Sequence, residues 1–224
     1  VKAGVFTITK IIVYIFGIDF LFEASSSQWL LYAAAFTIIT ASLVALRQTN
    51  IKRLLAYSTI AQLSYVVMAA AILKPLAEVG AAIHMVAHAF GKITLFFAAG
   101  AIYVASKKTE IHQLRGIGRR MPWTMAAFTI GALSMIGVPP TGGFVSKWYI
   151  LAGAFEANNL VAVFTIIAST VLNAAYFLPI LYMVWFEREK EGGKEHGEAP
   201  FLAVLALCLT ALLTLAFFLF NGPV

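Results

Sequence analysis

The chain has 224 residues, of which 61% are hydrophobic and 12% charged, with a mean hydropathy of +0.89 and a net charge of +6. A soluble domain carries about twice that share of charge, and the apolar runs are too long for barrel strands and lack a period of two, which leaves an all-α polytopic membrane protein. The bases lie in short loops between apolar spans, so they read as topology determinants and not as a nucleic-acid surface, and the single Cys208 offers neither a disulfide nor a cysteine metal site within the chain.

The first span covers residues 1–16, interrupted by Lys2 and Lys10, and ends in a loop over residues 19–28. No signal-peptide pattern precedes it, and the expectation is that the sequence begins inside a larger protein or is a split half of one. A second span runs over residues 29–46, with Trp29 and Tyr32 as interfacial aromatics. Arg47, Lys52 and Arg53 form a short basic loop. The third span, residues 54–73, carries Ser58, Thr59, Gln62 and Ser64 and closes at Lys74-Pro75.

The fourth span, residues 76–105, holds the most unusual pattern in the chain: His84, His88 and Lys92 at intervals of four. At 100° per residue they fall within an arc of about 80°, stacked over about 12 Å of rise. Ionisable groups at membrane depth are costly and usually face a bundle interior or a watery cavity. Imidazoles titrate near neutral pH and a buried amine can release its proton, so three such groups in register point to a proton- or ion-handling track. The alternative is two structural histidines beside a lysine that snorkels to an interface.

After a strongly basic loop (Lys107, Lys108, Arg115, Arg119, Arg120), the apolar segment over residues 121–155 is too long for one span. A continuous helix would measure about 52 Å against a hydrocarbon core of about 30 Å. Val138-Pro139-Pro140-Thr141-Gly142-Gly143 is where it can break, leaving two half-helices inside the protein with Lys147 one turn beyond. Such a break at membrane depth is a transporter feature. A sixth span, residues 161–186, has Asn173 near its centre and Pro179 as a kink. Residues 187–200 form a mixed-charge loop whose His196 reads as solvated, and a final span follows over residues 201–220. Basic loops follow the second, fourth and sixth of about seven spans. The positive-inside rule then puts those loops in the cytoplasm and the C-terminus, Val224, outside.

Several of these stretches resemble one family. Ile51-Lys52-Arg53-Leu54-Leu55-Ala56-Tyr57-Ser58-Thr59 is similar to a signature of antiporter-like subunits of respiratory complex I, Mrp-type cation/proton antiporters and membrane-bound hydrogenases. His84 through Phe97, the loop Glu110 to Ile117, and Gly137-Val138-Pro139-Pro140-Thr141-Gly142-Gly143-Phe144-Val145-Ser146-Lys147 resemble further segments of the same family. Leu172-Asn173-Ala174-Ala175-Tyr176 looks closest to the D-type Mrp subunit.

The resemblance implies a five-helix antiporter-type repeat over residues 29–186, with its broken helix at 121–155. It also implies a preceding helix over 1–22 left from a missing first repeat, a cytoplasmic loop over 187–200 and a final helix over 201–224. By motif match, Lys2, Lys92 and Lys147 take axial positions, with His84 and His88 beside Lys92. Two departures follow: the first repeat's glutamate–lysine pair is missing, and Asn50 replaces the usual aspartate, which should weaken any ion pair there.

The implied function is translocation of H⁺, or exchange of Na⁺ for H⁺, through a buried Lys/His relay in the cytoplasmic (inner) membrane. The partners implied are the lipid bilayer and other membrane subunits of an Mrp, hydrogenase or complex I-like assembly, with no nucleic acid and no cofactor. A haem carrier is disfavoured because His84 and His88 share one helix and cannot flank one haem plane. The chain has no nucleotide loop or cysteine cluster for redox or hydrolytic chemistry of its own, although it can belong to an oxidoreductase. A structural or assembly subunit with a vestigial ion path remains the alternative.

Overall fold

The helical period of the apolar runs is realised as eight α-helices in a computed structural model that describes residues 2–17, 21, 27–189 and 197–220. They are α1 (Lys2–Lys10), continued by a π-helix over Ile11–Phe16, then α2 (Ser27–Leu46), α3 (Ile51–Ala71), α4 (Pro75–Ser106), α5 (Pro122–Ile136), α6 (Gly142–Glu156), α7 (Leu160–Phe186) and α8 (Phe201–Leu219). Among the described residues, α2, α3, α4, α7 and α8 are each long and apolar enough to cross a membrane. At 15 residues, α5 and α6 are each about 22 Å long and too short to cross singly. Taken in series they form one split span, and with α1 the count comes to about seven. Readings placed on residues 18–20, 22–26, His196 and Val224 fall outside the described residues.

Helix starts follow local chemistry. The Asn50 side chain accepts from the amides of Lys52 (3.0 Å) and Arg53 (3.3 Å), so α3 begins at Ile51 and these two bases stand in its first turn, not in a loop. Asn50 also donates to Glu110 Oε1 at 3.3 Å, so this position makes a cap and a neutral-to-charged hydrogen bond instead of an ion pair. Glu198 caps α5 from outside its own chain segment, accepting from the Trp123 and Thr124 amides and from Thr124 Oγ1 (2.6 Å). Asn159 caps α7 through the Ala162 amide.

These contacts gather three loops at one end of the bundle. Residues 49–51 pair with 109–111 through main-chain bonds, and Arg115 meets Glu187 at 3.2 Å while Arg120 meets Glu189 at 2.6 Å. At the other end Lys74 approaches Glu156 at 3.8 Å. The alternation of basic and non-basic connections along the sequence is thus an alternation of ends in space.

The break lies slightly earlier than the sequence indicates. Residues 137–141 are non-helical, whereas Gly142 and Gly143 already belong to α6. Gly137, at φ 91, turns the chain out of α5 in a conformation that side chains rarely adopt. Gly143 has a different task. A Cβ there would fall on the Ser134 carbonyl oxygen, so its missing side chain lets the first turn of α6 rest against the last turn of α5. The other end of α6 packs as closely on α4, where a Cβ on Gly153 would lie 2.5 Å from the Ala77 backbone nitrogen. Helix α4 is the hub, in contact with α3, α5, α6 and α8.

Candidate functional site

On α4 the three residues set apart by their spacing are buried together: His84 and His88 are each 1% exposed and Lys92 4%. The two imidazoles stack, with centroids 6.1 Å apart and planes inclined by 23°. His84 Nδ1 lies 2.8 Å from Ser146 Oγ of α6, and that hydroxyl donates to the Gly143 carbonyl at 3.0 Å. The two ring nitrogens of His88 reach no hydrogen-bonding group of the protein. One turn on, Lys92 Nζ donates to the Leu55 carbonyl of α3 at 3.1 Å, an oxygen that Thr59 Oγ1 also reaches at 2.8 Å.

The break in the fifth span creates the second half of the site. The last carbonyls of a helix lack intrahelical partners and carry the negative end of its dipole. Lys147 uses two of them, donating to Met135 O and Ile136 O at 2.9 Å each. It is 6% exposed and points into the protein, as its position after the break implies. Gly137 leaves room for its stem, since a Cβ there would meet Lys147 Cδ at 2.9 Å. The ammonium also lies 5.2 Å from the ring centroid of Tyr65, and that ring lies 5.5 Å from His84. In space the order is therefore Lys147, Tyr65 and His84, His88, Lys92.

Two polar triplets frame this row: Ser58, Gln62 and Tyr65 on α3, and Ser169, Asn173 and Tyr176 on α7. The helices run in opposite directions and the triplets pair accordingly. Tyr65 bonds Ser169, Tyr176 Oη lies 3.0 Å from Ser58 Oγ, and the two central amides, Gln62 Nε2 and Asn173 Nδ2, both donate to Met135 O at 3.3 Å. The sequence reading noted Gln62 and Asn173 only as polar residues within spans, and it gave no role to Tyr65, Ser169, Tyr176 or Ser146. The signal was present, because each triplet has the spacing i, i+4, i+7 and so occupies one helix face.

The structure thus brings His84, His88, Lys92 and Lys147 into one buried system. Lys2 lies apart from them on α1 and is partly exposed. Among the described residues no carboxylate forms an ion pair with Lys2, Lys92 or Lys147; the ion pairs present involve Lys74, Lys108, Arg115 and Arg120 at the two ends of the bundle. The buried charges are held by main-chain carbonyls and an aromatic face.

Residues 1–173 match the family described as NADH:quinone oxidoreductase/Mrp antiporter, transmembrane. The chain is 42% identical over 154 residues to NADH-quinone oxidoreductase subunit N of Desulforudis audaxviator, which covers 69% of this chain and 31% of that protein. It is 32% identical over 192 residues to F(420)H(2) dehydrogenase subunit N of Methanosarcina mazei, covering 81% and 39%. Among solved structures, a chain of the membrane-bound sulfane sulfur reductase, an archaeal respiratory membrane complex, superposes with a TM-score of 0.86 at 30% identity over 98% of this chain and 44% of that one. This chain spans less than half the length of each of these relatives.

Proposed function

The chain belongs to the NADH:quinone oxidoreductase/Mrp antiporter family of multi-pass membrane proteins, and from that premise we propose that it carries a proton path, or a Na⁺/H⁺ exchange path, for a multisubunit membrane complex. The observation that carries this reading is the buried row itself. Two lysines and two histidines lie 6% exposed or less, and both lysines are held by main-chain carbonyls, with no carboxylate ion-paired to them among the described residues. A charged group at membrane depth costs several kcal/mol unless it is used or paired.

In this reading α2 to α7 form one five-helix repeat with α5 and α6 as its broken member, α1 is the last helix of a preceding repeat, and α8 is the final helix. The proton moves between Lys147 and Lys92 by way of His84 and His88, with Lys2 as the contact to the neighbouring repeat. Water links the steps, because ring centroids 6.1 Å apart exceed direct hydrogen-bond reach. A charge arriving at one site makes its neighbour release a proton, so the row titrates as a coupled chain. The basic end, with Arg47, Lys52, Arg53 and residues 107–120, faces the cytoplasm, and the C-terminus lies outside the cytoplasmic membrane. Partners are the other membrane subunits of an Mrp, hydrogenase or complex I-like assembly, and redox chemistry, where there is any, belongs to them.

The test is transport per assembled complex in proteoliposomes. Lys92→Ala should remove most translocation while the complex still assembles. Lys92→Arg should fail nearly as badly, since guanidinium keeps its proton. His88→Ala should slow transport less than Lys92→Ala. Full transport by assembled Lys92→Ala would rule the relay out. A purely structural subunit would instead lose activity only in proportion to lost complex.

A further inference from the structure

The Met135 carbonyl has more donors than it can serve. A carbonyl oxygen has two lone pairs, yet three side chains from three helices point N–H groups at this one: Lys147 Nζ at 2.9 Å, Gln62 Nε2 at 3.3 Å and Asn173 Nδ2 at 3.3 Å. The ammonium has the shorter bond and the two amides wait at the outer limit of theirs. Both amides are fully buried. The Asn173 amide is also locked in orientation, because the Tyr176 hydroxyl donates to its Oδ1 at 2.5 Å, and Oδ1 therefore faces Tyr176 while Nδ2 faces Met135.

We propose that Gln62 and Asn173 are positioning residues for proton release from Lys147, acting as standby donors that take over the Met135 carbonyl whenever the lysine gives it up. Without them, each departure of the ammonium would strand a buried carbonyl at the end of α5, where no helix amide can serve it. With them, the carbonyl stays satisfied in both states, and the two states lie closer in free energy. Tyr176 keeps the Asn173 amide aimed, and so acts one step further out. No atom is transferred by either amide; they only change how firmly Lys147 is held. The proposal rests on the reading of Lys147 as part of the relay.

Other groups that bear on Lys147 come from every element around α6. His84 faces it from α4, with His88 and Lys92 beyond it in one direction and Glu78 in the other, and α6 itself carries Tyr149 and Glu156. Tyr65 faces it from α3 and Tyr176 from α7, and Lys2 stands further off on α1. Helix α5 contributes no titratable side chain, and α8 only Cys208. The leucine variants below leave all of these in place and add no titratable group, so a change in their pH response is attributable to the carbonyl.

The experiment is the pH profile of proton transport per assembled complex in proteoliposomes, for the intact complex and for Gln62→Leu, Asn173→Leu and Asn173→Asp. Removing a standby donor makes Lys147 hold its proton more tightly. The pH at which transport becomes half-maximal should rise by about one unit, a tenfold change in proton affinity. Asn173→Asp keeps the shape, removes the donor and adds a carboxylate beside the ammonium, so its profile should move further in the same direction. Gln62→His, which restores an N–H donor, should return the profile toward the unaltered one.

A merely structural role would lower the amount of complex or scale the rate at every pH without moving the profile. That result in assembled Asn173→Asp, or an unshifted profile in both leucine variants, would overturn the proposal. Failure of the relay reading shows differently, as full transport by assembled Lys147→Ala. Should the leucine variants not assemble, Gln62→Met and Asn173→Ala, which remove the donor without adding a titratable group, carry the decision.

Discussion

Replacing Lys92 by methionine should separate a functional lysine from a structural one by the sign of its effect on stability. The two side chains are unbranched and similar in volume, so no cavity opens. What is lost is one hydrogen bond, from Nζ to Leu55 O at 3.1 Å, worth about 1.5–3 kcal/mol for a charged donor. Leu55 O is not stranded, because Thr59 Oγ1 still reaches it at 2.8 Å. What is gained is relief from holding a nearly buried ammonium away from water, an effective penalty of several kcal/mol per ion. No carboxylate pair offsets that penalty. The balance comes out neutral to favourable, on the order of 0–3 kcal/mol in favour of methionine. Purified complex should therefore denature at an unchanged midpoint, or one raised by a few degrees, while proton transport per complex collapses. Lys147→Met should gain less, because Ile136 O would lose a donor that nothing replaces. A midpoint lowered by several degrees in Lys92→Met, with activity falling in step with the amount of complex, would refute the reasoning and return the residue to a structural role.

Gly143→Ala should cut the yield of assembled complex sharply, because its Cβ would sit on the Ser134 carbonyl oxygen and overpacking of this kind costs about 1–3 kcal/mol or more. Gly100→Ala, with nothing near its Cβ, should be tolerated or slightly stabilising by up to about 1 kcal/mol in a melting experiment. Asn50→Asp keeps the cap on α3 but replaces the hydrogen bond to Glu110 by two facing carboxylates, a loss on the order of 1 kcal/mol that added salt should reduce. A cysteine placed at Lys108 in a Cys208→Ala background should resist membrane-impermeant reagents from the periplasmic side, and labelling from that side would invert the orientation proposed for the basic end.

Periodicity and length carried the sequence reading as far as single helices. Intervals of four placed His84, His88 and Lys92 on one face because an α-helix repeats every 3.6 residues, and the structure buries that face. A segment of 35 residues had to break because it exceeded the membrane, and two prolines beside two glycines marked the place to within a residue or two. The task of Gly143 was not legible, since the close approach of α6 to Ser134 is a property of the packed pair of helices and not of the local sequence. The frame around Lys147 was illegible for the same reason. Tyr176 and Ser58 are 118 positions apart, and Tyr65 and Ser169 are 104 apart. Their spacing announces a polar face on each helix, but which faces meet is decided by the antiparallel packing of α3 and α7 around the end of α5. Lys52 and Arg53 show a smaller limit: a charged pair looks like a loop until the Asn50 cap before it is recognised as the start of a helix.

The two buried lysines are held in different ways, and the difference follows from the break. Inside a continuous helix every carbonyl already accepts a bond from the amide four residues on, so Lys92 can only share one, the Leu55 oxygen that Thr59 also uses. At the end of α5 the carbonyls of Met135 and Ile136 have no such claimant, and the helix dipole adds its negative pole, so Lys147 receives two short bonds in a favourable field. An unbroken helix would offer neither. With no carboxylate ion-paired to either lysine among the described residues, the broken helix gives Lys147 the firmer of the two holds. On the relay reading, a single positive charge shared along the row is better held at Lys147 than at Lys92. Net movement toward Lys92 then needs either a charge arriving from outside or a loosening of the Met135 carbonyl. The standby amides of Gln62 and Asn173 ease that second step, because they keep the Met135 carbonyl satisfied when the lysine leaves it.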